Sequence, residues 1–164
     1  LIADSHWRFV SEREFISEDY YSLLCLYAHV QRVSILKQGC YFYCYNDASL
    51  SHVFRPDRFE RVCHCYRAML DVCEERQYPE KIAKCLSTQY FGNAIGALKL
   101  IVMSSDLGFT DKVKQLKEIM KSETLVHALK LIDFSSESFG RKMLIGTIKT
   151  NSAVLVYFLI KAKS

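Results

Sequence analysis

Apolar residues recur at helical spacing through two long stretches in the middle of this chain, and each stretch is opened by one of its only two prolines. Proline has φ fixed near the helical value and no N–H to leave unpaired, so it suits a helix start and disrupts an interior. From Pro56 the residues Phe59, Val62, Cys63, Tyr66, Leu70 and Cys73 share one stripe, which predicts a helix to about Arg76. From Pro79 a second stripe, Ile82, Leu86, Tyr90, Ala94, Leu98 and Ile101, predicts a helix to about Met103. Gly92 and Gly96 fall inside it, at a spacing that lets another helix approach closely.

Shorter elements surround this pair. A first helix is predicted from about Glu18 to Gln31, burying Leu23, Leu24, Leu26, Tyr27 and Val30. Beyond the break at Asp106 to Phe109, Thr110 caps a helix carrying Val113, Leu116 and Met120. Its Lys112, Lys114, Lys117 and Lys121 read as a solvated face. Further helices are predicted from Glu123 to about Ile132, near Ser138 to Lys149 and near Ser152 to Lys161. Two short strands, Val33 to Leu36 and Cys40 to Tyr45, are predicted to pair through a tight turn at Lys37-Gln38-Gly39, where glycine allows positive φ. On the second strand Tyr41, Tyr43 and Tyr45 share a face that suits a sugar-stacking wall or a packed interface equally. The fold class expected is mainly α, a bundle-like helical domain with a β-hairpin near its start.

Composition narrows the function. The chain has 164 residues, half of them apolar and 13% aromatic, which is enough for a core and argues against disorder. A formal charge of +4, spread along the chain, does not form the basic face of a nucleic-acid binder. Seven cysteines without a Cys-X-X-Cys pair point to free thiols in a reducing compartment. The run Cys63-His64-Cys65 is spaced too tightly for paired zinc ligands, and Cys40 and Cys44 read as core thiols. No apolar run reaches the ~18 residues of a membrane span. The lysine-flanked tail from Ala153 to Ile160 suits a helix docked on the protein or an anchor at a membrane surface.

The chemistry-bearing feature is Ser17-Glu18-Asp19 at the start of the first helix. Ser17 is a good N-cap, and the positive end of a helix dipole attracts carboxylates. Such a pair either stabilises the helix start or holds a base.

Read with its surroundings, the segment from Phe9 to Tyr21 resembles the acceptor-side motif of family 2 glycosyltransferases, inverting nucleotide-sugar enzymes with a GT-A α/β fold. The matching pieces run in order: Ile16-Ser-Glu-Asp19, the strand Arg32 to Leu36, the aromatic strand Cys40 to Tyr45, the turn Ser49-Leu-Ser51-His52, and Phe54-Arg-Pro-Asp-Arg-Phe59. The resemblance covers about residues 9 to 60 and divides the chain into 1–55, the end of the catalytic domain, and 56–164, a helical C-terminal domain. It implies that Asp19 is the general base that deprotonates the acceptor hydroxyl, with Glu18 shaping the acceptor site or tuning Asp19. Substrate contacts would come from Tyr43, Ser51, His52 and Arg55. Many relatives carry arginine where this chain has Cys44, so a cationic phosphate contact is missing or moved to Arg55 or Arg58.

The sequence contains no Asp-X-Asp and no glycine-rich phosphate loop. The expectation is therefore a carboxy-terminal piece of a bacterial polysaccharide-building enzyme, inactive alone. The nucleotide-binding half, the nucleotide-sugar and glycan sites and the ligands of a divalent Mg or Mn would lie outside it. Strands that have lost their sheet neighbours should leave an exposed apolar patch over residues 9 to 54, or self-associate into a homo-oligomer through it. The expected location is cytoplasmic, with a peripheral contact at the inner membrane face left open. The competing expectation is a non-catalytic helical interaction module.

Overall fold

A computed structural model describes residues 7–11, 13–39, 41–42, 44 and 54–163. These residues form seven α-helices: α1 (Glu18–Tyr27), α2 (Arg58–Glu75), α3 (Glu80–Met103), α4 (Phe109–Met120), α5 (Glu123–Leu131), α6 (Phe139–Lys149) and α7 (Ala153–Lys161). α3 is the central element, packing on α2, α4, α5 and α7. α1 rides on α2, and α7 lies between α4 and α6.

The α2–α3 pair carries the core its periodicity promises, on wider stripes than one face. Cys65 and Met69 join Val62, Cys63, Tyr66 and Cys73 in burial, because α2 is covered by α3 on one side and α1 on the other. On α3, Ser87, Phe91, Ala97 and Val102 are buried beside the expected residues, as four packing neighbours require. Inside the pair the rings of Tyr66 and Tyr90 stack at 4.4 Å. Ser87 Oγ donates its only proton to the Ala83 carbonyl at 2.7 Å, so the Tyr66 hydroxyl, 2.6 Å away, donates to Ser87. The Tyr90 hydroxyl lies 3.3 Å from Cys63 Sγ, so both hydroxyls of the stacked pair have partners.

Burial raises the pKa of Tyr66 and raises that of Tyr90 further. It also pushes the Cys65 thiol from 9.0 up to about 12, with Asp19 and then Glu18 adding to the effect. These groups keep their protons in the folded chain where the unfolded chain releases them. Their contribution to stability is therefore complete below about pH 9 and declines as pH rises toward about 12. Thermal midpoints measured from pH 7 to 11 should be flat at first and then fall. A midpoint that holds to the top of that range would contradict the burial of these groups.

α2 ends in a Schellman motif: the Tyr78 N–H reaches the Cys73 carbonyl at 2.9 Å and the Gln77 N–H reaches Glu74 at 3.0 Å, with Gln77 at φ 51°. The helix ends match the expected ones closely, with physical exceptions. The prolines sit just ahead of the helices rather than inside their first turns, Pro56 in the preceding turn and Pro79 at the N-cap. α1 stops at Tyr27 and unwinds through short turns, His29 N–H to Leu26 and Val30 N–H to Tyr27. With α2 as its main neighbour it buries Ser22, while Leu23 and Tyr27 are exposed and Leu24, Leu26 and Val30 are half-buried. Gly108, not Thr110, is the N-cap of α4, because Phe109 is drawn onto Tyr157 in an edge-to-face contact at 5.0 Å. Lys112 leaves the solvated face and donates to the Val102 carbonyl at 2.8 Å, near the end of α3.

Gly92 and Gly96 do not admit a close helix. A Cβ at either would meet nothing within 4 Å. Their effect is then the entropic cost of glycine in a helix interior, so Gly92→Ala and Gly96→Ala should each stabilise the fold by about 0.5–1 kcal/mol, read from urea midpoints. Destabilisation by either would mean that α3 has a close neighbour at that face.

The predicted hairpin is absent among the described residues, which contain no strand. Residues 33–36 run without regular structure, with Val33, Ile35 and Leu36 exposed by 64%, 90% and 74%. No glycine among the described residues has positive φ, so the glycine-dependent turn does not form at Gly39. Cys40, Tyr43 and Tyr45 lie outside the described residues, and Tyr41, Phe42 and Cys44 carry no strand. Cys44 is exposed rather than core. A strand needs an edge to pair with, and a two-stranded hairpin without a third element is marginal. Large apolar side chains are exposed in this part of the chain, among them Phe9, Val33, Ile35, Leu36, Tyr41 and Phe42.

Candidate functional site

The acid pair sits on a tightly held turn. Ser17 occupies the N-cap position of α1 with left-handed backbone (φ 68°, ψ 46°), and its hydroxyl makes no cap. Instead, Asn93 of α3 donates to Ser17 Oγ at 3.0 Å, tying the start of α1 to the central helix. Phe15, just before the motif, is buried in a stack of three rings, with Tyr21 at 4.7 Å and His64 of α2 at 5.0 Å. Behind the acids, buried Ser22 closes the knot. Its hydroxyl donates to the Glu18 carbonyl at 2.6 Å and accepts from the Val10 N–H at 3.1 Å, while its carbonyl accepts from Trp7 Nε1 at 2.6 Å.

On this turn Glu18 is half-buried and Asp19 is exposed. Among the described residues neither carboxylate has a hydrogen-bond or ion-pair partner. The cysteine cluster beneath them is structural: Cys65 Sγ points to the Ser17 carbonyl at 3.9 Å and Cys63 to Tyr90. Cys63 and Cys65 do face different sides of α2, as their spacing requires, and both sides are covered.

Arg55 lies elsewhere. Its guanidinium pairs with Asp57 at 3.4 Å, and Asp57 also takes a 2.6 Å bond from Arg61, which holds the Asp57 carboxyl below its usual range. Arg55 lines a cleft of about 420 Å³ between the start of α2, the end of α3 and α4, together with Arg58, Glu60 and Glu118. Neither Glu18 nor Asp19 lines that cleft. Tyr43, Ser51 and His52 lie outside the described residues. The structure thus brings Glu18 and Asp19 together and does not join Arg55 to them.

Compared with protein-family models, curated proteins and solved structures, the chain gives no significant match. Among the described residues no cluster of His, Cys, Asp and Glu has the makings of a metal site. No helix among them is long and apolar enough to cross a membrane.

The supporting shell was only faintly legible in the sequence. A serine amid the leucines and tyrosines of α1, and an asparagine between two glycines of α3, are polar residues at positions where apolar ones would pack. Each turns out to hold the acid-bearing turn.

Proposed function

We propose that this chain is the acceptor-side end and helical tail of an inverting family 2 glycosyltransferase that builds a bacterial surface polysaccharide, with Asp19 as its general base. The observation that carries the reading is an exposed carboxylate without a partner among the described residues, on a turn held by Asn93, Ser22 and the Phe15 stack. A helix-stabilising acid needs no such support, whereas a base must be held within hydrogen-bond reach of the hydroxyl it deprotonates. Asp19 takes the proton from the acceptor hydroxyl, the freed oxygen attacks the anomeric carbon from the face opposite the nucleotide, and the configuration inverts. Glu18, half-buried beside it, orients the acceptor. Arg55 reaches donor phosphate only by leaving Asp57, which makes it a secondary contact.

The exposed side chains of Val33, Ile35, Leu36, Tyr41 and Phe42 suit the same reading, because strands that belong to a larger sheet expose their apolar side chains when the sheet is absent. The chain alone is then inactive in sugar transfer. The same side chains also favour the second reading, a helical module that binds another protein through them. The test is sugar transfer by a protein containing this chain joined to a nucleotide-binding half, with and without Asp19→Asn. Loss of turnover with donor binding retained supports the base; unchanged turnover gives the lead to the interaction module.

A further inference from the structure

A second cavity, of about 660 Å³ and open to solvent on one side, is lined by residues at the ends of α4, α5 and α6. We propose that it binds a single-chain amphiphile with an anionic head. Its size falls within the range of small-molecule sites, roughly 300–1,000 Å³. Its walls are apolar, formed by Met120, Val126, Leu129, Phe134 and Ile148. Its rim carries three lysines, Lys121, Lys130 and Lys149, with Asn151 beside them, and among the described residues no carboxylate lines it.

The two halves of this lining call for different parts of one ligand. Inorganic phosphate gains nothing from the apolar walls, and a neutral chain gains nothing from the ammonium groups. Lysines near helix C-termini also complement helix dipoles, and α4, α5 and α6 all end here. Each dipole end is equivalent to roughly half a charge, so three full charges leave the rim cationic. Lys149 is further held 4.1 Å above the Phe134 ring, which fixes an ammonium directly over the apolar wall. A carboxylate or a phosphate monoester at the head of an acyl-like chain fits both features. The site is separate from the α1 acids and does not depend on their role.

The experiment is calorimetric titration of the full chain with dodecanoate and with dodecyl phosphate, both kept monomeric. Saturable one-to-one binding is expected, and tighter binding of one head group identifies the source as a fatty carboxylate or a lipid phosphate. The triple variant K121Q/K130Q/K149Q should bind about tenfold more weakly, roughly twofold per exposed ammonium. Val126→Trp, at a 44% exposed position on the wall, should block entry and remove binding. All four substituted positions are exposed, so each variant should stay folded; the triple variant should give up a little of the parent's thermal midpoint with its helix-end charges and the Lys149–Phe134 contact, and Val126→Trp should keep it. Equal affinity for dodecyl maltoside, unchanged binding by Val126→Trp, or association only with anionic vesicles and not with monomeric amphiphile would each overturn the proposal.

Discussion

Phe91→Ala should destabilise this chain by about 3–5 kcal/mol, the usual cost of removing a fully buried phenylalanine. Phe91 has no exposed surface and sits on α3, which packs on α2, α4, α5 and α7. Its ring also lies 5.3 Å beneath the Arg141 guanidinium. Arg141 in turn is 3.0 Å from the buried Glu137 carboxylate and donates to the Thr88 carbonyl at 3.3 Å, which ties the start of α6 to α3. Truncation therefore opens a cavity and removes one face of a partly desolvated ion-pair cluster. Domains of this kind have a total stability of about 5–15 kcal/mol, so the loss is a large share of it. Phe91→Leu fills most of the space and should cost much less. Urea unfolding of the two variants checks this. A loss below about 1 kcal/mol for Phe91→Ala would mean that α3 is not the centre of the fold.

Helices were legible where their information is local. The stripes from Phe59 to Cys73 and from Leu86 to Ile101 place α2 and α3 almost to the residue, because helical period and breakers are written into short windows. The hairpin was not legible for the opposite reason. The alternation near Val33 and Phe42 records a tendency to be extended, and pairing depends on a partner strand that a local window does not contain. Tertiary contacts likewise took over Ser17 and Lys112. Their hydroxyl and ammonium look like a cap and a solvated charge, and they are used instead by Asn93 and the end of α3. The glycine pair misled because small residues permit a close approach without requiring one. Of the site, the acid pair was readable from its position at a helix start. The Ser22 and Asn93 contacts that hold it join elements far apart in sequence and emerge only in three dimensions.

Asp19→Asn is the other substitution with a large expected effect. Asparagine keeps the shape of the side chain and cannot accept the acceptor's proton, and general-base catalysis contributes roughly 10²–10⁴-fold to turnover. Because Asp19 is exposed and has no protein partner among the described residues, the change should leave folding and the thermal midpoint untouched. Glu18→Gln, at a half-buried neighbour assigned to orientation, should act more on the acceptor KM than on kcat. The decisive measurement is kcat for sugar transfer by a protein joining this chain to a nucleotide-binding half, compared between Asp19 and Asp19→Asn at matched donor occupancy. A fall of roughly a thousandfold with unchanged donor binding and thermal midpoint is the predicted result. Unchanged kcat would contradict the assignment and leave Glu18 and Asp19 as the acidic first turn of a helix.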